Sequence, residues 1–168
     1  MKACQVVLFL VLAAALLGPA ESAAHSPSAE TYVIFYFGST DCAYCNMPAN
    51  IEKIMTIKNE FPKLYPNAGV KFVLVCLDKD IEQGLVFVRK YGLWDEISVG
   101  SFYQNELALS YLNTAKIPGL PHIMVFKDIY SKTEKFSVPL IKERRLMVDL
   151  IGGTEIEAWI SGGYKMAD

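Results

Sequence analysis

Cysteine and histidine are scarce: four cysteines and two histidines in 168 residues. So few cysteines exclude a disulfide-framework miniprotein, whose small core needs dense bridging. Only one C-x-x-C occurs, and His25 and His122 form no H-x-x-x-H pair, so a closed four-ligand zinc site lacks partners. Neither sign of charge is in excess, the formal net charge being -2. That balance implies no acidic or basic partner, and the composition speaks against nucleic-acid binding and against disorder. Internal repeats and low-complexity linkers are missing too, as is any apolar run of the ~20 residues that span a bilayer.

What is present is a hydrophobic fraction of 52%, enough for one buried core at this length. The chain opens with one lysine, an unbroken apolar run from Val6 to Leu17, then Gly18, Pro19 and small residues. That order is a secretory signal, and small Ser22 and Ala24 place its cleavage before His25. The expected division is a signal segment over 1–24 and a single domain over 25–168, exported to a periplasm or secreted. Only an uncleaved signal would hold the protein at a membrane. Cleavage removes Cys4 and leaves Cys42, Cys45 and Cys76.

The run "TYVIFYF" (31–37) is β-branched and aromatic throughout, the pattern of a strand covered on both faces. Met47, Ile51, Ile54, Ile57 and Phe61 then recur at intervals of three and four, one face of a helix that Pro62 and Pro66 are expected to stop. "VKFVLVCL" (70–77) reads as a second buried strand and "IEQGLVFVRKYGL" as a helix closed near Gly92. A short extra strand is expected at 97–100, a short helix at 105–113 and a third core strand at 122–126. "RLMVDLI" (145–151) should pair back on that third strand, with "KFSV" (135–138) in the connection. Thr154 and Glu157 have capping-box spacing for a last helix. Strand and helix alternation argues for an α/β fold with parallel strands.

Cys42 and Cys45 follow the first strand directly, where the helix begins. Three uses are open to such a pair: a redox couple, half of a metal site, or a short staple. Redox chemistry fits best, because orphan N–H groups at a helix N-terminus favour a thiolate. Lowering a cysteine pKa from ~8.5 to ~7 stabilises the thiolate by ~2 kcal/mol and brings about half of it into the reactive form at neutral pH. Cys42 should then be the exposed attacking sulfur and Cys45 the shielded resolving one.

Strand, C-x-x-C, long helix, strand and then "PGLPHIMVF" together resemble the thioredoxin superfamily. The segment between Leu77 and Pro121 is most similar to exported TlpA/ResA-type thiol-disulfide oxidoreductases, which carry an extra strand and helix there. The resemblance implies a thioredoxin fold, a central mixed β-sheet flanked by α-helices, here without an obvious first N-terminal strand since "HSPSAE" is short and polar. It implies Cys42 as nucleophile, Cys45 as resolving cysteine and Pro121 in cis beside them, turning the Leu120 backbone outward to pair with an extended substrate. Cysteine-containing proteins and a redox partner protein would be its partners, with the chain a monomer needing neither organic cofactor nor metal.

Several positions depart from the family. Asp41 replaces the tryptophan before the first cysteine, Ala43 and Tyr44 replace glycine and proline between the two, and Tyr36 stands where thioredoxin has a buried aspartate. Asp41 opposes a thiolate and Tyr44 adds no positive charge, so a Cys42 pKa above about 5 is expected. His122 is a candidate proton acceptor near the dithiol, the plainer alternative being a strand side chain facing solvent or a carbonyl. With the two sulfurs it would also suit copper, so a copper chaperone or a non-catalytic interaction module is the competing class. Cys76 reads as core packing, Trp94, Phe102 and Tyr103 as core or rim, and the charges of "DKD" and "KERR" as solvated loops. N-terminal sequencing of the protein recovered from an exporting host should begin at His25; a product starting at Met1 would contradict the signal.

Overall fold

The computed structural model describes residues 30–131 and 139–166. The expected signal segment over 1–24, the remaining residues before Glu30 and the stretch 135–138 lie outside the described residues. In chain order come β1 (Glu30–Gly38), α1 (Pro48–Leu64), β2 (Gly69–Cys76), α2 (Ile81–Arg89), β3 (Glu96–Val99), α3 (Glu106–Ser110), β4 (His122–Ser131), β5 (Leu140–Ile151) and α4 (Gly152–Ser161). Single 3₁₀ turns occupy Tyr44–Asn46 and Leu112–Thr114.

The strands form one mixed sheet in the order β3-β2-β1-β4-β5. Parallel pairing joins β1 to β2 and β2 to β3, whereas β4 runs antiparallel to both β1 and β5. The doubly apolar run of β1 makes it the central strand. Tyr32, Ile34 and Tyr36 face α1, α2 and α4 in one core, while Val33, Phe35 and Phe37 face Ala108 and Leu112 in the other. Burying each such apolar side chain stabilises the fold by about 1.5–3 kcal/mol. α2 closes near Gly92, which takes a left-handed φ of 71°. Both expected extra elements between Leu77 and Pro121 are present: β3 adds to the edge of the sheet, and the helix expected over 105–113 is the shorter α3, followed by the Leu112–Thr114 turn.

Element ends differ from the sequence reading in β4 and β5, which both run longer, and in α1 and the last helix. Pro62 lies inside α1 and does not stop it; so near the end of a helix its missing N–H removes one bond, and the Tyr65 N–H still closes the turn on the Pro62 carbonyl at 3.3 Å. At the other end, α1 begins at Pro48, a favourable first position for a residue with no N–H. The last helix starts at Gly152, and the Thr154–Glu157 capping box does not form. Gly152, with φ 76°, turns strand directly into helix, and Glu155 accepts the Ile151 N–H at 2.7 Å, while Glu157 pairs with Lys53 at 2.8 Å.

The β4–β5 ladder extends from His122 opposite Ile151 to Ser131 opposite Leu140, so "KERR" belongs to a strand. Arg144 in it is not a solvated loop charge. Its Nε and Nη2 reach the two oxygens of fully buried Asp128 at 2.7 and 2.6 Å, and its Nη1 donates to the Tyr111 hydroxyl. This bidentate pair ties β5, through β4, to the element preceding the Leu112 turn. Replacing Arg144 by Leu leaves a buried carboxylate unpaired, which should destabilise the protein by about 3–5 kcal/mol, read from the midpoint of urea unfolding.

Candidate functional site

The site lies where β1 ends. Gly38 closes the strand, and the chain turns through Ser39 to Asp41 into the Cys42–Cys45 disulfide, whose Cα atoms are 5.2 Å apart. Cys42 is half-buried and Cys45 fully buried. The expected placement of Cys45 one turn into the helix is corrected: it sits in the 3₁₀ turn Tyr44–Asn46, and α1 starts only at Pro48. The group that reaches the Cys42 sulfur is therefore a local amide, the Cys45 N–H, which donates to Cys42 Sγ at 3.1 Å. A hydrogen bond to sulfur favours the charged form of a cysteine wherever the donor comes from.

The loop is fixed by residues that the pattern of the chain did not mark. Asn46 Nδ2 reaches the carbonyls of Ser39, Thr40 and Cys42 at 3.2, 2.9 and 2.8 Å, and its Oδ1 accepts from Lys90 Nζ at 2.7 Å. Asp78, just past β2, accepts the Thr40 N–H at 3.1 Å as well as the Thr40 hydroxyl. It is buried, so the first acid of "DKD" is a loop anchor and not a solvated charge. Only the parallel register, with Gly38 opposite Cys76, brings Thr40 to Asp78.

Pro121 stands one residue before β4. Because His122 pairs with Phe37, Pro121 lies beside the end of β1 from which the dithiol departs. The Leu120–Pro121 peptide is cis. Pro121 is buried and its carbonyl accepts the Gly152 N–H at 2.8 Å, while half-buried Leu120 packs against both cores. Tyr44 and Met47 flank the sulfurs as exposed apolar side chains, 62% and 50% accessible. Beside them a cleft of about 480 Å³ runs between α1 and α4, lined by Asn50, Lys53, Gly153 and Glu157 among others.

His122 is not brought to the dithiol. Paired with Phe37, it shares that residue's face of the sheet, whereas Cys45 packs in the core on the opposite face. Fully buried, it meets Asp149 through Nε2 at 2.5 Å, and its Nδ1 has no hydrogen-bond partner among the described residues. The reading that it bonds a carbonyl or faces solvent is corrected as well: its partner is a carboxylate. Trp94 stacks on Tyr36 within the dithiol-side core, and Tyr103 is 80% exposed.

A sheet whose central strand ends at a C-x-x-C, followed by a helix, with a cis-proline opening the neighbouring antiparallel strand, is the thioredoxin fold. No family model matches the chain, and no curated protein does. Among solved structures, it is similar to the thioredoxin domain of a thiol-disulfide oxidoreductase from Bacteroides vulgatus, with 15% identity, 80% of each chain covered and a TM-score of 0.47. It is also similar to a thiol:disulfide interchange protein from Bacteroides sp., with 20% identity, 58% of each chain covered and a TM-score of 0.41. These are likenesses; the fold assignment stands on the strand order, the dithiol and the proline.

Cys76 belongs to a different chemical regime from the pair. It is fully buried in β2, its thiol donates to Asp78 Oδ2 at 2.8 Å, and its pKa is pushed up to about 12, first by burial and then by that hydrogen bond. The folded protein thus holds this proton more tightly than the unfolded chain. The resulting stabilisation is complete below the unfolded thiol's ~8.5 and fades as pH rises toward about 12. With the disulfide intact, iodoacetamide at mildly alkaline pH should leave Cys76 unmodified in the folded protein and alkylate it in urea, as read by peptide mass; prompt modification of the folded protein would contradict this burial.

Proposed function

We propose that the protein is an exported thiol-disulfide oxidoreductase that exchanges disulfides with cysteine-containing protein substrates. The observation that carries this reading is the unequal burial of two disulfide-bonded cysteines at the end of the central strand, Cys42 half-buried and Cys45 fully buried. In the reduced protein the Cys42 thiolate attacks a partner disulfide, one partner sulfur leaves as thiolate, and a mixed disulfide forms. Cys45, once deprotonated, attacks Cys42 Sγ, closing the Cys42–Cys45 bond and releasing the second partner thiolate. Two protein thiols are oxidised and one partner disulfide is reduced. From the oxidised protein the same steps run backwards.

Support for a protein substrate comes from the surface around the sulfurs. Tyr44 and Met47 offer an apolar border, and the backbone of Leu120 is the family's position for pairing with an extended segment. The apolar signal-like start of the chain supports export, and a separate redox partner would reset the dithiol after each cycle.

Reduction of insulin, followed by precipitation of its free B chain, tests the reading together with Cys42→Ser and Cys45→Ser variants. The parent protein should accelerate precipitation. Cys42→Ser should fall to the uncatalysed background, and Cys45→Ser should accumulate a mixed disulfide visible on a non-reducing gel. Activity persisting in both variants would overturn the mechanism.

A further inference from the structure

Beneath the dithiol, three side chains form a hydrogen-bonded line that ends on the resolving cysteine. The Tyr91 hydroxyl donates to the Cys45 carbonyl oxygen. A phenol has one proton, so the 2.8 Å contact between the Tyr36 and Tyr91 hydroxyls is donated by Tyr36. The Tyr36 oxygen in turn accepts from Asn50 Nδ2 at 2.9 Å. All three contacts are hydrogen bonds only in this order, Asn50 to Tyr36 to Tyr91 to Cys45. Turning the Asn50 amide over would leave the two phenols without a proton between them.

The line is buried along its whole length, with Tyr36 1%, Tyr91 0% and Asn50 5% exposed. Burial raises the pKa of both phenols, Tyr36 well above its ordinary value with Tyr91 adding to the effect. Each therefore keeps its proton, and the direction of the line is fixed. Its members come from β1, from α1 and from the residues just after α2, so a long-range part of the fold acts on one peptide group.

Cys45 needs such an anchor. It occupies a 3₁₀ turn of three residues, with Pro48 opening the next helix, and Asn46 secures the Ser39–Cys42 side of the loop. Once Cys42 is engaged in a mixed disulfide, the covalent clamp between the two cysteines is gone. We propose that Tyr91, oriented by Tyr36 and Asn50, is the positioning residue of the resolving step, holding the Cys45 carbonyl so that Cys45 Sγ stays aimed at Cys42. The inference rests on the oxidoreductase reading above. It assigns Tyr91 to the second step of exchange and to no part of the first.

The two steps separate with dithiobis(nitrobenzoate), an aromatic disulfide that releases one coloured thiolate when Cys42 attacks it and a second when Cys45 resolves the mixed disulfide. The first release depends on reagent concentration and the second does not. Loss of one directed hydrogen bond in Tyr91→Phe should slow the second release about tenfold and leave the first within about twofold. Tyr36→Phe, which only removes the donor behind Tyr91, should slow the second release by a smaller factor, about threefold. A second release at the parent rate in Tyr91→Phe, or both releases slowed together, overturns the proposal. Should Tyr91→Phe fail to fold, Tyr36→Phe decides by the same criterion. No coloured release from the reduced parent protein would overturn the oxidoreductase reading, and this inference with it.

Discussion

A strand buried on both faces must end somewhere, and the backbone that leaves it needs hydrogen-bond partners at the rim of the core. β1 is that strand, and the chain from Ser39 to Asn46 is what leaves it. Its polar groups are met from three directions: by Asn46 within the loop, by Asp78 past the end of β2, and by Tyr91 after α2. A buried polar group without a partner would cost about 1–3 kcal/mol, so this set of bonds is what allows a tight dithiol loop to sit against the core. The position of the two sulfurs follows from it.

The same arrangement makes the cysteines unequal. Cys42 comes at the loop's outer turn and accepts an N–H from Cys45, while Cys45 is drawn into the core among Tyr36, Tyr91 and Ile54. The site contrasts with the familiar thioredoxin pattern in its chemistry more than its shape. Where that pattern has a buried carboxylate under the dithiol, this chain has the Tyr36 hydroxyl, neutral and engaged with Tyr91 and Asn50. A neutral donor line adds no negative charge beneath the sulfurs, which leaves thiolate formation less opposed than a buried anion would.

Long periodic segments were legible in the chain because their information is local. The doubly apolar runs of β1 and β2, the three- and four-residue spacing of Ile54, Ile57 and Phe61, and the C-x-x-C after a strand each carry their meaning within a few residues. Element ends were less legible. Pro62 reads as a helix stop, yet tertiary packing of Phe61 in the core keeps the last turn of α1 in place. The charged groups read least well, since a carboxylate in "DKD" looks the same whether solvent or the Thr40 amide satisfies it. Asp78, Arg144 and His122 all turned out to be bonded across the sheet or to a neighbouring strand.

By itself the sequence determined that a redox-suited pair of cysteines would stand at the end of a buried strand, because hydrophobic period and cysteine spacing are properties of adjacent residues. The tertiary structure decided which groups surround that pair. It put His122 on the far face because strand side chains alternate, delivered Asp78 to the loop through a parallel register, and brought Tyr91 there by packing α2 and the residues after it against the core. Such partners lie tens of residues away along the chain, and only the folded sheet brings them within the three ångströms or so over which a hydrogen bond acts.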